Sequence, residues 1–173
     1  MTIQGKAYVK TQWAFRERPV ASAKLNAWDD RIEAAFELVH FLLSQAWGGG
    51  DGVIRRASTD DLAVIPANPP DTSVIVRPGY AFISRMPYRL AEDTPTGAIA
   101  APASQPRIDL VEARLTEWDI AVVKGAEAAE PEAPEGGEDA IALAELYLRP
   151  GMNAIHEEDD GTNGYIIDIR TFL

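Results

Sequence analysis

Thr72-Ser-Val-Ile-Val-Arg-Pro-Gly-Tyr-Ala-Phe-Ile-Ser84 is the stretch that decides the fold. Val74, Ile75 and Val76 are β-branched, and Tyr80 to Ile83 is aromatic and aliphatic, so both halves favour an extended chain. Pro78-Gly79 between them reads as a type II turn, with proline presetting φ and glycine supplying a left-handed φ. The expectation is a β-hairpin, Thr72–Arg77 returning as Tyr80–Ser84. Downstream, Arg107–Leu115 turns at Thr116-Glu-Trp-Asp119 into Ile120–Lys124, a second hairpin. Ala140–Arg149 fits helix or strand on propensity, and Pro150-Gly151 with the neighbouring strands favours strand; Tyr165–Arg170 completes the set, and the stretch 91–106 reads as a loop. Residues 72–173 are therefore predicted to be an antiparallel β domain, a small sandwich or barrel.

Upstream the pattern changes period. Over 22–47, Leu25, Ile32, Val39 and Ala46 recur every seven residues, with Trp28, Ala35 and Leu42 between them. That is a heptad seam on one helix, widened by Phe36 and Leu43. Ser22 or Asn26 supplies the N-cap, Asp29 and Asp30 favour the positive end of the dipole, and Gly48-Gly-Gly50 stops the helix. No second helix in the chain is available to bury this face. The nine seam residues Leu25, Trp28, Ile32, Ala35, Phe36, Val39, Leu42, Leu43 and Ala46 are the expected oligomer interface, and the competing reading is an amphipathic helix lying on its own sheet. Residues 1–21 alternate and carry Pro19, so they read as an extended N-terminal arm. The oligomerisation helix spans 22–50, and 51–71, rich in glycine and proline, reads as a linker that holds two short extended pieces, Val53–Ala57 and Leu62–Ile65. The class is α+β.

Charge and composition narrow the function. The chain has 173 residues, with 27 Asp+Glu against 16 Lys+Arg, a net charge of −11. A basic face for phosphates or an anionic membrane is missing, so neither nucleic acid nor membrane is an expected partner. No apolar run reaches the roughly 20 residues of a bilayer span. There are no cysteines, which removes thiolate chemistry and zinc–cysteine sites. The two histidines, His40 and His156, lie far apart, His40 as a helix boundary or interface residue and His156 as an exposed one. Residues 126–139 hold six acids and no base, and 156–160 hold four more. The first of these loops reads as a solvated, mobile excursion between strands.

Catalytic signatures are sparse. No phosphate-binding glycine loop and no nucleophile elbow occurs. Glu157–Asn163 offers oxygen ligands for calcium but lacks the EF-hand spacing, so a plain turn is the better reading. Asp109 and Asp168 sit inside predicted strands and read as structural partners of Arg107 and Arg170. Trp28 and Trp47 read as packing residues, with Trp13 in the arm. Trp118, in a hairpin turn, is the residue placed to contact a partner or saccharide. No cofactor or metal is expected.

One ordered set of motifs carries a resemblance. Val76-Arg-Pro-Gly-Tyr-Ala-Phe-Ile83, Pro106-Arg-Ile-Asp-Leu-Val111, Val122-Val-Lys-Gly125, Leu143-Ala-Glu-Leu-Tyr-Leu-Arg-Pro-Gly-Met152 with Ile155, and Ile167-Asp-Ile-Arg170 follow one another over about 74–170. In that order they resemble segments at the start of tailed-bacteriophage tail fibres, baseplate proteins and receptor-binding proteins. The resemblance implies a β-rich attachment or adaptor module, trimeric and not an enzyme, made in the host cytoplasm and located in the virion. Its implied partners are further copies of itself, other virion proteins and, alternatively, a host surface glycan. No catalytic positions carry over.

Overall fold

The computed structural model describes residues 22–46, 48–55 and 60–173, which divide between two compact units, Met1–Gly49 and Gly50–Leu173. The expected N-terminal arm, with Trp13, lies outside the described residues, as does Trp47.

In the first unit, α1 runs Ser22–Ala46 without a glycine or proline inside it. It begins at Ser22, so Asn26 is not its cap, and Asp29 and Asp30 lie beyond a first turn that holds no acid. The stop is as expected. Gly48 and Gly49 adopt φ of +79° and +77°, and the Gly48 N–H donates to the Gln45 carbonyl at 3.2 Å.

The second unit holds eleven strands among the described residues. In chain order they are β1 Gly52–Val53, β2 Val64–Pro66, β3 Val74–Val76, β4 Gly79–Ile83, β5 Met86–Leu90, β6 Thr94–Pro95, β7 Arg107–Arg114, β8 Asp119–Val123, β9 Ala140–Leu148, β10 Ile155–His156 and β11 Gly164–Asp168. They form three sheets, ordered β1-β4-β5, β2-β3-β6 and β10-β11-β9-β7-β8. Pairing is antiparallel except between β10 and β11. The chain is thus α+β, one helix and a β-rich unit. Val53, Val74, Val76, Ile83, Val111 and Leu146 belong to one continuous core to which all three sheets contribute.

Two expectations about local structure are corrected. The first concerns Pro78-Gly79, which does not close a hairpin: β3 pairs with β2 and β6, whereas β4 pairs with β1 and β5. The dipeptide instead carries the chain from one sheet to another, and Gly79 does not take a left-handed φ. Its glycine is required for close approach, because a Cβ there would sit 2.6 Å from the Leu62 nitrogen and 2.9 Å from Leu62 Cγ. The hairpin partner of β4 is β5, absent from the sequence-based strand set. Its two-residue turn, Ser84-Arg85, has φ of +50° and +65°, as a type I′ turn requires, but without the Asn-Gly pair that signals one.

The second concerns 51–71: its extended pieces do form strands, β1 and β2, but these pair into the sheets, so the stretch belongs to the β unit rather than leading to it. β1 pairs with β4, and β2 pairs with β3. The Val53 N–H also donates to the Thr171 carbonyl at 2.8 Å, and the Leu173 N–H to the Val53 carbonyl at 3.0 Å. Residues near both ends of the unit are therefore tied to β1. The 91–106 stretch likewise contributes β6.

The 107–115 and 120–124 hairpin and the 140–149 and 165–170 strands form as expected, within a residue or two. β7 is an interior strand of the large sheet, paired with β8 on one side and β9 on the other. A bulge opposite Val111/Glu112 leaves Leu143 unpaired in β9, which lets Leu143 and Ala144 both be buried.

Replacing Gly79 with Ala is expected to lower stability by about 1–3 kcal/mol, the usual cost of forcing a methyl into a packed site. Gly97→Ala, where no atom lies within 4 Å of the added carbon, is the near-neutral control. The two midpoints of chemical denaturation check the difference.

Candidate functional site

The helix carries the feature that stands out. Leu25, Trp28, Phe36, Val39, Leu42 and Leu43 are each between 39% and 58% exposed. Ala46 is exposed too, while Ile32 and Ala35 are half-buried. All nine seam residues lie on the one helix, and Trp28, Ile32, Ala35, Phe36 and Val39 line a shallow apolar groove along it. Hiding a side chain of this size fully is worth about 1.5–3 kcal/mol, and these six have much of that still to gain. Single exposed apolar residues are ordinary, but a contiguous row is not. His40 is half-buried beside Phe36, their rings 6.1 Å apart.

Trp118 is the second exposed feature. It is 56% exposed at the tip of the β7–β8 hairpin and takes a left-handed φ of +52°. Its ring stacks on buried Tyr88, centroids 5.6 Å apart and planes 15° apart. The Tyr88 hydroxyl donates to the Asp119 carbonyl at 3.2 Å. Burial, then the Asp119 charge, pushes the Tyr88 pKa up. Arg114 donates to both Asp119 oxygens at 2.9 and 2.6 Å and holds that carboxyl below its ordinary pKa. The tryptophan is thus fixed on a rigid base. Sequence reasoning named Trp118 but missed Tyr88, which belongs to the strand it did not find.

The strand acids are held by arginines. Arg107 and Asp109, each with a side chain 2% exposed, form a bidentate pair at 2.7 and 2.9 Å. Arg107 also donates to the Ala100 carbonyl at 2.8 Å, and Asp109 accepts the Gly125 N–H at 2.9 Å. Arg170 holds Asp168 at 2.9 and 2.7 Å. Each carboxylate is thus held in a fixed orientation by an arginine, Asp109 buried and Asp168 exposed. Glu112, buried and not singled out from the sequence, accepts the Gly137 N–H at 2.9 Å.

The Glu157–Asn163 turn is built from its own side chains. Asp159 accepts the Gly161 N–H and binds Arg149, while Asp160 accepts from Thr162, from Asn163 and from the Asn163 amide. Asn163 and Arg149 respectively head the causes that hold the Asp160 and Asp159 carboxyls below their ordinary pKa. No cluster of three metal-ligating side chains occurs among the described residues. Above the turn, the Arg149 guanidinium lies 5.1 and 5.3 Å from the rings of Tyr147 and Tyr165, which stack on each other. No sequence motif signalled that trio, whose members meet only through the β9–β11 register.

The acid-rich 126–139 loop is exposed, as expected, and is hydrogen-bonded to the 103–106 loop and to the β4–β5 turn. The Ala128 N–H donates to the Pro106 carbonyl at 3.1 Å, and Asp139 accepts the Ser84 hydroxyl at 2.6 Å. Glu127 accepts the N–H groups of Ala103, Ser104 and Gln105 at 2.9, 3.1 and 3.4 Å. Among the described residues no helix is long and apolar enough to cross a membrane. Comparison with family models, with curated proteins and with solved structures finds no match to the chain.

The backbone N–H donors of Ala103 and Ser104 lower the Glu127 pKa from 4.5 to about 2. A depressed carboxyl contributes fully above its unfolded pKa and loses its contribution as pH falls through the folded one. The Ala103, Ser104 and Gln105 amide resonances are therefore expected to titrate with a midpoint near 2. Glu127→Gln should abolish that titration.

Proposed function

We propose that this chain is a structural virion protein of a tailed bacteriophage, a tail, baseplate or fibre adaptor. It assembles as a homotrimer through α1 and docks other virion proteins through its β unit, whose three sheets act together as a small sandwich or barrel. The observation that carries the reading is the exposed seam from Leu25 to Ala46. A heptad repeat presents its apolar row to another helix of the same period, and the simplest source is another copy. Phe36 and Leu43 make the row wider than a two-stranded seam uses, which favours more than two helices. The order of motifs over 74–170 supports the virion assignment. The arginine-held carboxylates of Asp109 and Asp168 support a role without catalysis.

Light scattering is expected to give a trimer whose mass does not change with concentration. Ile32→Asp combined with Val39→Asp should yield monomers or insoluble chain, and a trimer that survives both changes would remove α1 from the interface.

A second reading, a carbohydrate-binding module of the virion, rests on Trp118. An exposed indole held flat on Tyr88 is a preorganised apolar face of the kind on which a sugar ring stacks. Host polysaccharide is then expected to quench tryptophan fluorescence, and Trp118→Ala to abolish the quenching. An unchanged spectrum across a glycan panel would reject this reading.

A further inference from the structure

We infer that α1 packs against α1 of the other copies parallel and in register, so that every β unit leaves the bundle at the same end. This rests on the self-association just proposed and adds its direction. Take Leu25, Ile32, Val39 and Ala46 as the first core position of each heptad. Trp28, Ala35 and Leu42 then fill the second. The positions flanking the seam are unevenly furnished. Towards the amino end they are Lys24, Asp29 and Arg31; towards the carboxyl end they are Phe36, Leu38, Leu43 and the uncharged Gln45, which has no flanking partner five positions on within the helix. Asp29 is exposed, Arg31 and Leu38 are half-buried, and Phe36 and Leu43 are exposed.

The two orientations put different flanks together. In a parallel pair, each flanking residue after the seam meets one five positions on in its neighbour. Lys24 then meets Asp29, Arg31 lies against the face of Phe36, and Leu38 meets Leu43: a pair of opposite charges, a cation on an aromatic ring, and an apolar pair. In an antiparallel pair of the same overlap, Asp29 lies against Leu43 and Arg31 against Leu38. Asp29 and Arg31 would then each face an apolar flank, without the charge pair and the cation–ring contact that the parallel arrangement makes. One end of the seam is charged at its rim and the other is apolar, and only the parallel arrangement joins like with like. The consequence is multivalency. Each helix ends at Ala46 and is followed by its own β unit, so a parallel bundle presents several such units from one end, where linked binding strengthens a weak single contact.

The chain has no cysteine, so an introduced one reports without background. Leu25→Cys and Ala46→Cys are made singly in the full chain, oxidised, and run on a non-reducing gel, alone and as an equal mixture. Light scattering is recorded on each before oxidation. The expected result is a covalent dimer from each single variant and no additional heterodimer from the mixture. Should Leu25→Cys loosen the assembly, Ala46→Cys decides alone. Antiparallel helices of this overlap would hold their two 46 positions about 30 Å apart, beyond any disulfide. An oligomer that cross-links only in the mixture is antiparallel and overturns this inference while leaving the assembly standing. An oligomer that cross-links in neither has its contacts elsewhere and overturns it too. A chain monomeric at every concentration overturns the proposed function and the inference with it.

Discussion

Strand β7 is covered on both faces, and most of the β unit is arranged to meet that condition. Arg107 and Asp109 to Ala113 are all buried. A strand in that position with only aliphatic side chains would tolerate several coverings. This one carries Arg107, Asp109 and Glu112 inside, and each buried charge must find partners. Arg107 fixes the Ala100 carbonyl, Asp109 fixes the Gly125 N–H, and Glu112 fixes the Gly137 N–H. The path of the chain on either side of the strand follows from those three demands. A Cβ on Gly125 would collide with the Ile108 carbonyl, so the backbone there runs against β7 with no room for a side chain. Replacing a buried ion pair by apolar residues is often neutral or stabilising, so this pair is better read as selecting one arrangement of loops than as adding stability.

That accounts for what could and could not be read in advance. Of the long strands, 107–115 was legible from its own apolar residues, whereas 140–149, rich in alanine and leucine, fits helix or strand locally and was decided by Pro150-Gly151 and the strands around it. The helix was legible from its seven-residue spacing. The destinations of strands were not. Pro78-Gly79 has the composition of a turn, yet its glycine is there for the backbone of Leu62, which is distant in sequence. β5 was missed because Ser84-Arg85 adopts two left-handed conformations without the residues that usually accept them. Proline and glycine around 51–71 suggested a linker, when Gly52 is needed because the Thr171 carbonyl would lie 2.8 Å from its Cβ. The acidic loop is exposed, as its composition suggested, but composition does not show that Glu127 and Asp139 are spent on hydrogen bonds. Of the candidate site, Trp118 and the helix seam were legible as residues, whereas the Tyr88 base under Trp118 required the fold.

The two units differ in how complete they are. In the β unit the buried polar side chains are matched, with no unsatisfied side-chain atom among the described residues. A unit so closed has little left to gain from a partner through its core, and its contacts with other proteins must use surface groups. The helix is the reverse case, a regular element whose apolar row has no cover in proportion to its size. A 25-residue helix derives most of its stability from packing of such a face rather than from propensity.

Charge sharpens the division and sets a force that opposes the proposed assembly. Residues 50–173 hold 22 acids against 10 bases, whereas 1–49 hold 5 against 6. Nearly all the net charge therefore sits on the β unit, and gathering several such units at one end of a bundle sets like charges against one another. Distance and salt decide the outcome. A unit of this length has a radius of gyration of about 14 Å, while charges at physiological ionic strength are screened beyond about 8 Å. Most charges on neighbouring units lie farther apart than that, so their repulsion is weak and falls further with added salt. Burial of the helix seam is a contact effect that salt does not screen. The helix itself holds four acids against two bases, so burial of its seam in the proposed assembly has to outweigh a small repulsion of the same sign.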